Sequence, residues 1–567
     1  MTAHSSFCAV LARATFALVC AGAGLCACVP HPAAPDRSAG PDVTTRKLRE
    51  KVSTIVVIYA ENRAFDVLYG NFPGARGLNE VIDREGRPLP AYAAQLDRDG
   101  SALPALPPTW GGVTAPGYTP VVTQAESTGL PNAPFAIERA FTSRSNVTLT
   151  TSVVTRDLVH NFFEHQMQID GGKNDQYAAW SDAGGLTMGH YDTSRSALYA
   201  LARQYVLADQ FFQGAFGGSF LNHQYLICAC APEYPNADTA QARPSIALLD
   251  TDRAGHYLPR LKTAPGSPAS ALDGPPRFAK NGSIAPANYF GDGKFHAVNT
   301  MQPPYQPSGN APAQQDSSGQ YADPARATTL PPQTAPTIGD RLTAKGVAWT
   351  WYAGAWDAAI ADGMQPAIKA RRVIYAASSP DGSPDFQPHH QPFNYYANFD
   401  PATKAQERAA HMKDYVAFAA DIAAGRLPPV AFYKPQGNLN QHPGYASIAD
   451  GDAHIADVVE KLRAGPQWDG MVIVITYDEF GGAWDHVAPP RGDLLGPGAR
   501  IPALIISPFS KKSTVDHTPY DTASILRLID RRFGLTALPG IAARDQALSA
   551  HGEPPLGDLT NALDLER

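Results

Sequence analysis

The chain has 567 residues, 44% of them hydrophobic, and a formal net charge of −7, so it can bury a large core and is no polyelectrolyte. Charged residues reach only 17%, below the roughly 25% of an average globular protein. No basic runs of the kind that track a phosphodiester backbone occur, which excludes a nucleic-acid binder.

The first 28 residues read as an export signal. His4 and Arg13 precede an apolar stretch, Ala14 to Val29, too short to span a bilayer, which takes about 20 residues. Leu25-Cys26-Ala27-Cys28 has the small-residue spacing of a lipoprotein site with Cys28 lipidated; ordinary cleavage nearby is the alternative. The expected location is periplasmic or secreted, with membrane contact only through that anchor. Residues 29–50, rich at their start in Pro, Ala and Ser, are expected to form a flexible leader. Residues 51–567 are expected to be a single catalytic domain.

That domain opens on Ser53 to Tyr59, a continuous β-branched run of the kind buried on both faces of a mainly parallel sheet. Val347–Tyr352, Val430–Tyr433, Met471–Tyr477 and Ile501–Ser507 repeat the pattern. Asp452–Ala464 and Thr522–Phe533 carry helical apolar spacing. Strands alternating with helices predict an α/β fold. With Gly (48) and Pro (51) abundant, the stretches near 75–145 and 240–340 read as loop-rich insertions on the sheet's rim. Cys228 and Cys230 read as two small residues packed behind a strand or helix, near a candidate site but not ligands.

Open α/β sheets bind ligands beyond the carboxyl ends of their strands, and two strands end in acids: Tyr59-Ala60-Glu61-Asn62 and Tyr477-Asp478-Glu479. Three carboxylates and an amide oxygen suit one hard divalent cation bound through oxygen, its identity open. Gly217-Gly218-Ser219-Phe220-Leu221 can expose a serine hydroxyl, but Leu221 replaces the last glycine of an esterase elbow. A serine beside a cation needs no histidine base. His160, His165, His389, His390, His442 and His486 are candidates for holding a phosphate and supplying a proton, since an ordinary imidazole titrates near 6.5.

Glu61-Asn62-Arg63-Ala64-Phe65-Asp66, Thr476-Tyr477-Asp478-Glu479, Asp485-His486-Val487, Gly171-Gly172-Lys173-Asn174-Asp175 and Gly496-Pro497-Gly498 through Pro502 together resemble the bacterial phosphoesterase family of phospholipases C and secreted acid phosphatases. The resemblance runs from about residue 50 to 535. Gly217 to His223 is closest to its acid phosphatase A branch. The resemblance implies an alkaline-phosphatase-like α/β fold with Ser219 as nucleophile. It implies Glu61, Asn62, Ser219, Asp478 and Glu479 around one metal ion, and His160, His389, His390 and His442 lining the phosphate pocket. Ala64 departs from the serine usual in the first motif, beyond the ligand pair. The expected function is hydrolysis of small phosphomonoesters through a phosphoserine. The alternatives are a phospholipase C acting on phospholipid diesters and a non-catalytic surface protein that binds phosphate or lipid.

Overall fold

A computed structural model describes residues 42–376 and 383–566. The export signal, Cys28 and the start of the leader lie outside the described residues. Part of the leader is ordered, contrary to expectation: Val43–Lys51 form helix α1. Leu48 supplies the physical reason, since it is fully buried at the edge of the core with Val52 behind it, and an anchored apolar residue offsets the entropy of ordering a single short helix.

The remaining elements that build or support the site are β1 (Thr54–Ala60), α2 (Phe162–Ile169), β2 (Val206–Ala208), α3 (Ser219–Cys228), β3 (Trp349–Ala353), β4 (Met412–Asp414), β5 (Val430–Lys434), α4 (Ile448–Ala464), β6 (Met471–Tyr477), β7 (Ala503–Ile506), β8 (Thr514–Asp516) and α5 (Thr522–Phe533). The strands form an eight-stranded sheet in the order β8-β2-β7-β6-β1-β5-β3-β4. The sheet is parallel except where β7 pairs with β6 and β2. This is the mainly parallel α/β architecture expected. Every residue of β1, β3, β5 and β6 is buried, as their unbroken apolar runs require.

Two boundaries moved for identifiable reasons. Helix α4 starts at Ile448, not Asp452, because Ser447 caps it by accepting from the Asp450 N–H. The Asp452 carboxylate is buried and accepts instead from Ala197 N and Leu198 N at the start of another helix. Strand β7 begins after Pro502, which has no N–H to give a ladder.

Residues 75–145 hold only short helical turns and a two-residue strand, and 240–340 hold a hairpin, Leu249–Thr251 with Tyr257–Leu261, plus one helix near their end. Cys228 and Cys230 are joined in a disulfide at the end of α3. This corrects the reading of two separate packed thiols. The left-handed Ala229 between them turns the chain back on itself and brings the two sulfurs together. No helix among the described residues is long and apolar enough to cross a membrane.

Candidate active site

The three central strands β6, β1 and β5 are parallel neighbours, so their carboxyl ends lie side by side. Register pairs Ala60 with Tyr477, which sets Glu61 beside Asp478, and β5 ends on Lys434 next to them. Glu61, Asp478, Glu479 and Lys434 are all fully buried. Asn62 adopts a left-handed conformation (φ 56°), which asparagine tolerates, and its N–H donates to Asp478 Oδ1 at 3.1 Å.

Ser219 arrives from the other side as the first residue of α3. The two glycines before it are there for space. Gly217 has φ +83°, and a Cβ would lie 2.6 Å from the Phe162 backbone; at Gly218 a Cβ would lie 2.9 Å from the His160 ring. The loop is pinned by three buried side chains. Gln213 donates through Nε2 to Ala215 O and Gly217 O, and accepts from Phe480 N at 3.0 Å. His165 accepts from Gly217 N at 3.0 Å and stacks on Phe480 at 3.6 Å. Asn222 accepts from Ala215 N at 2.9 Å. Phe480 follows Glu479 directly, so the serine loop and the acidic strand end share one anchor.

The Ser219 hydroxyl lies 3.1 Å from Asn62 Oδ1 and 3.4 Å from Glu479 Oε1. It stands at the floor of a polar pocket of about 210 Å³ whose walls include His160, His389, His442 and Tyr445. The structure thus brings together Glu61, Asn62, Ser219, Asp478, Glu479, His160, His389, His390 and His442. It adds Lys434, His223 and Tyr445, none of which the sequence reading assigned a role. Lys434 had no motif to betray it; it is the last residue of an apolar strand. His223 stands one turn of α3 after Ser219, a helical spacing that could have identified it.

The charges divide this cluster in two. Glu61 accepts four donors: His390 Nε2 (2.5 Å) and Lys434 Nζ (3.1 Å) on Oε1, Asn440 Nδ2 (2.6 Å) and the Tyr445 hydroxyl (2.9 Å) on Oε2. Burial would raise its pKa, but His390 and Lys434 outweigh burial and hold the carboxyl well below the usual range. Asp478 and Glu479 lack such compensation. Burial pushes Asp478 up to about 7 even though Lys434 opposes it. It drives Glu479 well above the usual carboxylate range despite His160. Asp478 Oδ2 has no hydrogen-bond partner. A buried, under-compensated set of oxygens on Asn62, Ser219, Asp478 and Glu479 fits a hard divalent cation. Glu61 could join it only by giving up a present donor. Imidazole nitrogens also face this set: Glu61, His223 and Asp478 hold ligand atoms within 4.8 Å of one another, as do Glu61, His389 and His390. Oxygen-only ligation is therefore not dictated by the geometry.

The histidines differ among themselves. For His160 burial acts downward, but the Glu479 and Asp157 carboxylates prevail and lift it to about 9. Burial lowers His389 and His442, and takes His390 down to about 3. The four do not titrate as one group near 6.5.

Asp485 and His486 stand apart. They join Asp66 and the fully buried Arg500, whose Nη2 meets Asp66 at 2.9 Å and whose Nε meets Asp485 at 3.0 Å. None of these residues lines the pocket.

The chain belongs to the Phosphoesterase family, whose model matches residues 52–536. It is similar to phospholipase C B of Mycobacterium tuberculosis, 31% identical over 172 residues, 26% of this chain and 31% of that protein. It is also similar to the non-hemolytic phospholipase C of Pseudomonas aeruginosa (28% identical, 25% of this chain, 24% of that one), and to non-specific phospholipase C1 of Arabidopsis thaliana (33% identical, 22% and 29%). The chain thus spans under a third of the length of each of these curated relatives. Among solved structures it is similar to a phosphonate monoester hydrolase from Silicibacter pomeroyi, with 13% identity, 63% of this chain and 72% of that one covered, and a TM-score of 0.25. A protein in the alkaline phosphatase superfamily from Vibrio parahaemolyticus gives 10% identity, 64% and 65% coverage, and a TM-score of 0.25.

Proposed function

We propose that this protein hydrolyses phosphomonoesters, with Ser219 as the nucleophile. The observation that carries the reading is the serine hydroxyl between Asn62 and Glu479 at the floor of a small polar pocket. Ser219 Oγ attacks phosphorus, the ester oxygen leaves, and water then cleaves the phosphoserine. The hydroxyl proton passes to Glu479 Oε1, 3.4 Å away, which can take it only as the ionised carboxylate that a bound cation would maintain against burial. His160, whose Nε2 lies 3.7 Å from Glu479 Oε1 on the pocket wall, is placed to hand a proton to the departing alkoxide. Neutral His389 and His442 orient the phosphoryl oxygens. The first turn of α3 adds backbone N–H groups and the positive end of its dipole. Asn62, Ser219, Asp478 and Glu479, with Glu61 beside them, would hold a divalent ion, which would supply electrostatic stabilisation on the order of several kcal/mol.

The names of the curated relatives favour a second reading, a phospholipase C acting on phosphodiesters. The small polar pocket favours the monoester. The Cys228–Cys230 disulfide accords with export to an oxidising compartment. The deciding experiment measures kcat/KM on glycerol phosphate and on phosphatidylcholine vesicles, with metal content determined on the same sample. Turnover of the monoester at least about tenfold faster supports the proposal; turnover of the diester alone replaces it with the second reading.

A further inference from the structure

Tyr375 is out of place for its residue type. It holds a left-handed backbone (φ 55°), a conformation unusual for a bulky side chain and most often seen where function retains it. The same residue lines the candidate pocket and remains 42% exposed. Its ring is fixed rather than loose. The Tyr375 hydroxyl accepts from Gln302 Nε2 at 2.8 Å, and the other end of that amide accepts from Gly309 N at 2.7 Å. A Cβ on Gly309 would lie 2.9 Å from Tyr375 Cε2, so the ring edge packs against a position that must stay bare. The Tyr375 N–H donates to Phe386 O at 3.0 Å.

Asp157 and Thr300 also line the pocket, beside three amides whose nitrogens are committed elsewhere. Asn161 directs its amide nitrogen to Glu164 Oε1. Asn299 accepts from Phe162 N and donates to Gly282 O. Gln387 donates to Asp385. The Tyr375 hydroxyl is held by Gln302, so what the ring chiefly presents to the pocket is its aromatic surface. Such a surface binds planar rings through offset or edge contacts.

We propose that Tyr375 is a specificity-determining residue that selects phosphomonoesters with a planar aromatic leaving group, an aryl or nucleobase-bearing ester, over aliphatic ones. This rests on the phosphomonoesterase reading of the pocket but is tested separately from it. Calorimetry on the full-length protein compares phenylphosphonate with methylphosphonate, neither of which can be hydrolysed as an ester. Phenylphosphonate is expected to bind about tenfold more tightly, the size of one stacking contact. Tyr375→Asn, which keeps a residue tolerant of the left-handed backbone, should bring the ratio within about twofold, and Tyr375→Phe should preserve it. Equal affinities in the wild type, no measurable binding of phenylphosphonate, or an unchanged ratio in Tyr375→Asn would each overturn the proposal. Parallel assays with phenyl phosphate and glycerol phosphate separate the two claims. A wild type that shows the binding preference but hydrolyses neither ester loses the phosphomonoesterase reading and keeps Tyr375 as the residue that selects an aromatic group on a bound phosphoryl ligand.

Discussion

Two clusters of buried charge lie near the carboxyl ends of the central strands, and they are built on opposite principles. Around Arg500 the hydrogen bonds are nearly complete and each carboxyl meets a cation, although burial still lifts Asp485 to about 6. Asp66 accepts from Arg500, from His486 N and from His486 Nδ1; Asp485 accepts from Arg500, Val487 N and Asp66 N. Arg500 also donates to Arg76 O and Asp209 O and stacks 4.1 Å from the Phe65 ring. His486 Nε2 is the one buried polar atom of the four residues without a hydrogen bond. Around Ser219 the reverse holds. Asn62 Nδ2, His223 Nε2, His389 Nδ1, His390 Nδ1 and Asp478 Oδ2 all lack partners, and two carboxyls stay under-compensated. A satisfied cluster fixes loop geometry; an unsatisfied one is poised for something that is to bind.

That contrast can be broken by mutation, beginning with the largest effect. Ser219→Ala should cost about 10³-fold or more in kcat/KM while leaving the melting temperature nearly unchanged, as read by steady-state kinetics and thermal denaturation. Arg500→Met strands two buried carboxylates and should lower stability by about 3–5 kcal/mol in denaturant titrations. Asp485→Asn should also destabilise, because both carboxylate oxygens are taken by donors, Arg500 and Val487 N on one and Asp66 N on the other, and an amide nitrogen can accept from neither. Asp478→Asn should do the opposite in metal-free protein: it removes a charge that burial disfavours, so the metal-free melting temperature rises while retention of a divalent ion falls at least about tenfold. Gln213→Leu frees the serine loop from Phe480 and should reduce kcat about 10- to 100-fold with KM changed far less.

The smallest effect concerns pH. Burial would lower the pKa of His486, but Asp66 overrides it and raises the ring above its ordinary value. Its contribution is fully present below the unfolded pKa of about 6.5 and is lost as pH rises through the folded value. The stability gap between wild type and His486→Gln should therefore be wider at pH 6 than at pH 9. A gap independent of pH would show that the ring acts only by packing.

Much of the fold was legible because parallel strands buried on both faces leave unbroken apolar runs, as in Thr54–Ala60 and Met471–Tyr477. The acids after those strands were legible for the same reason: polar residues that end an apolar run stand out. Lys434 was not, since a single lysine closing a strand is ordinary and its role depends on which strand lies next to it. The anchoring by Gln213 and His165 depends on contacts more than 250 and 300 residues away in the chain, which no local pattern encodes. The disulfide and the helix at Val43–Lys51 turned on a left-handed Ala229 and on the burial of Leu48, both set by tertiary packing.

The central claim is that Ser219 takes up the phosphoryl group. Acid-quenching the protein during turnover of a phosphomonoester, followed by peptide mass spectrometry, tests it directly. The account predicts a peptide about 80 Da heavier, the mass of a phosphoryl group on a hydroxyl, with the addition on Ser219 and absent from Ser219→Ala. Full turnover with Ser219 unmodified at every quench time, or with the phosphoryl group on a histidine, would contradict it.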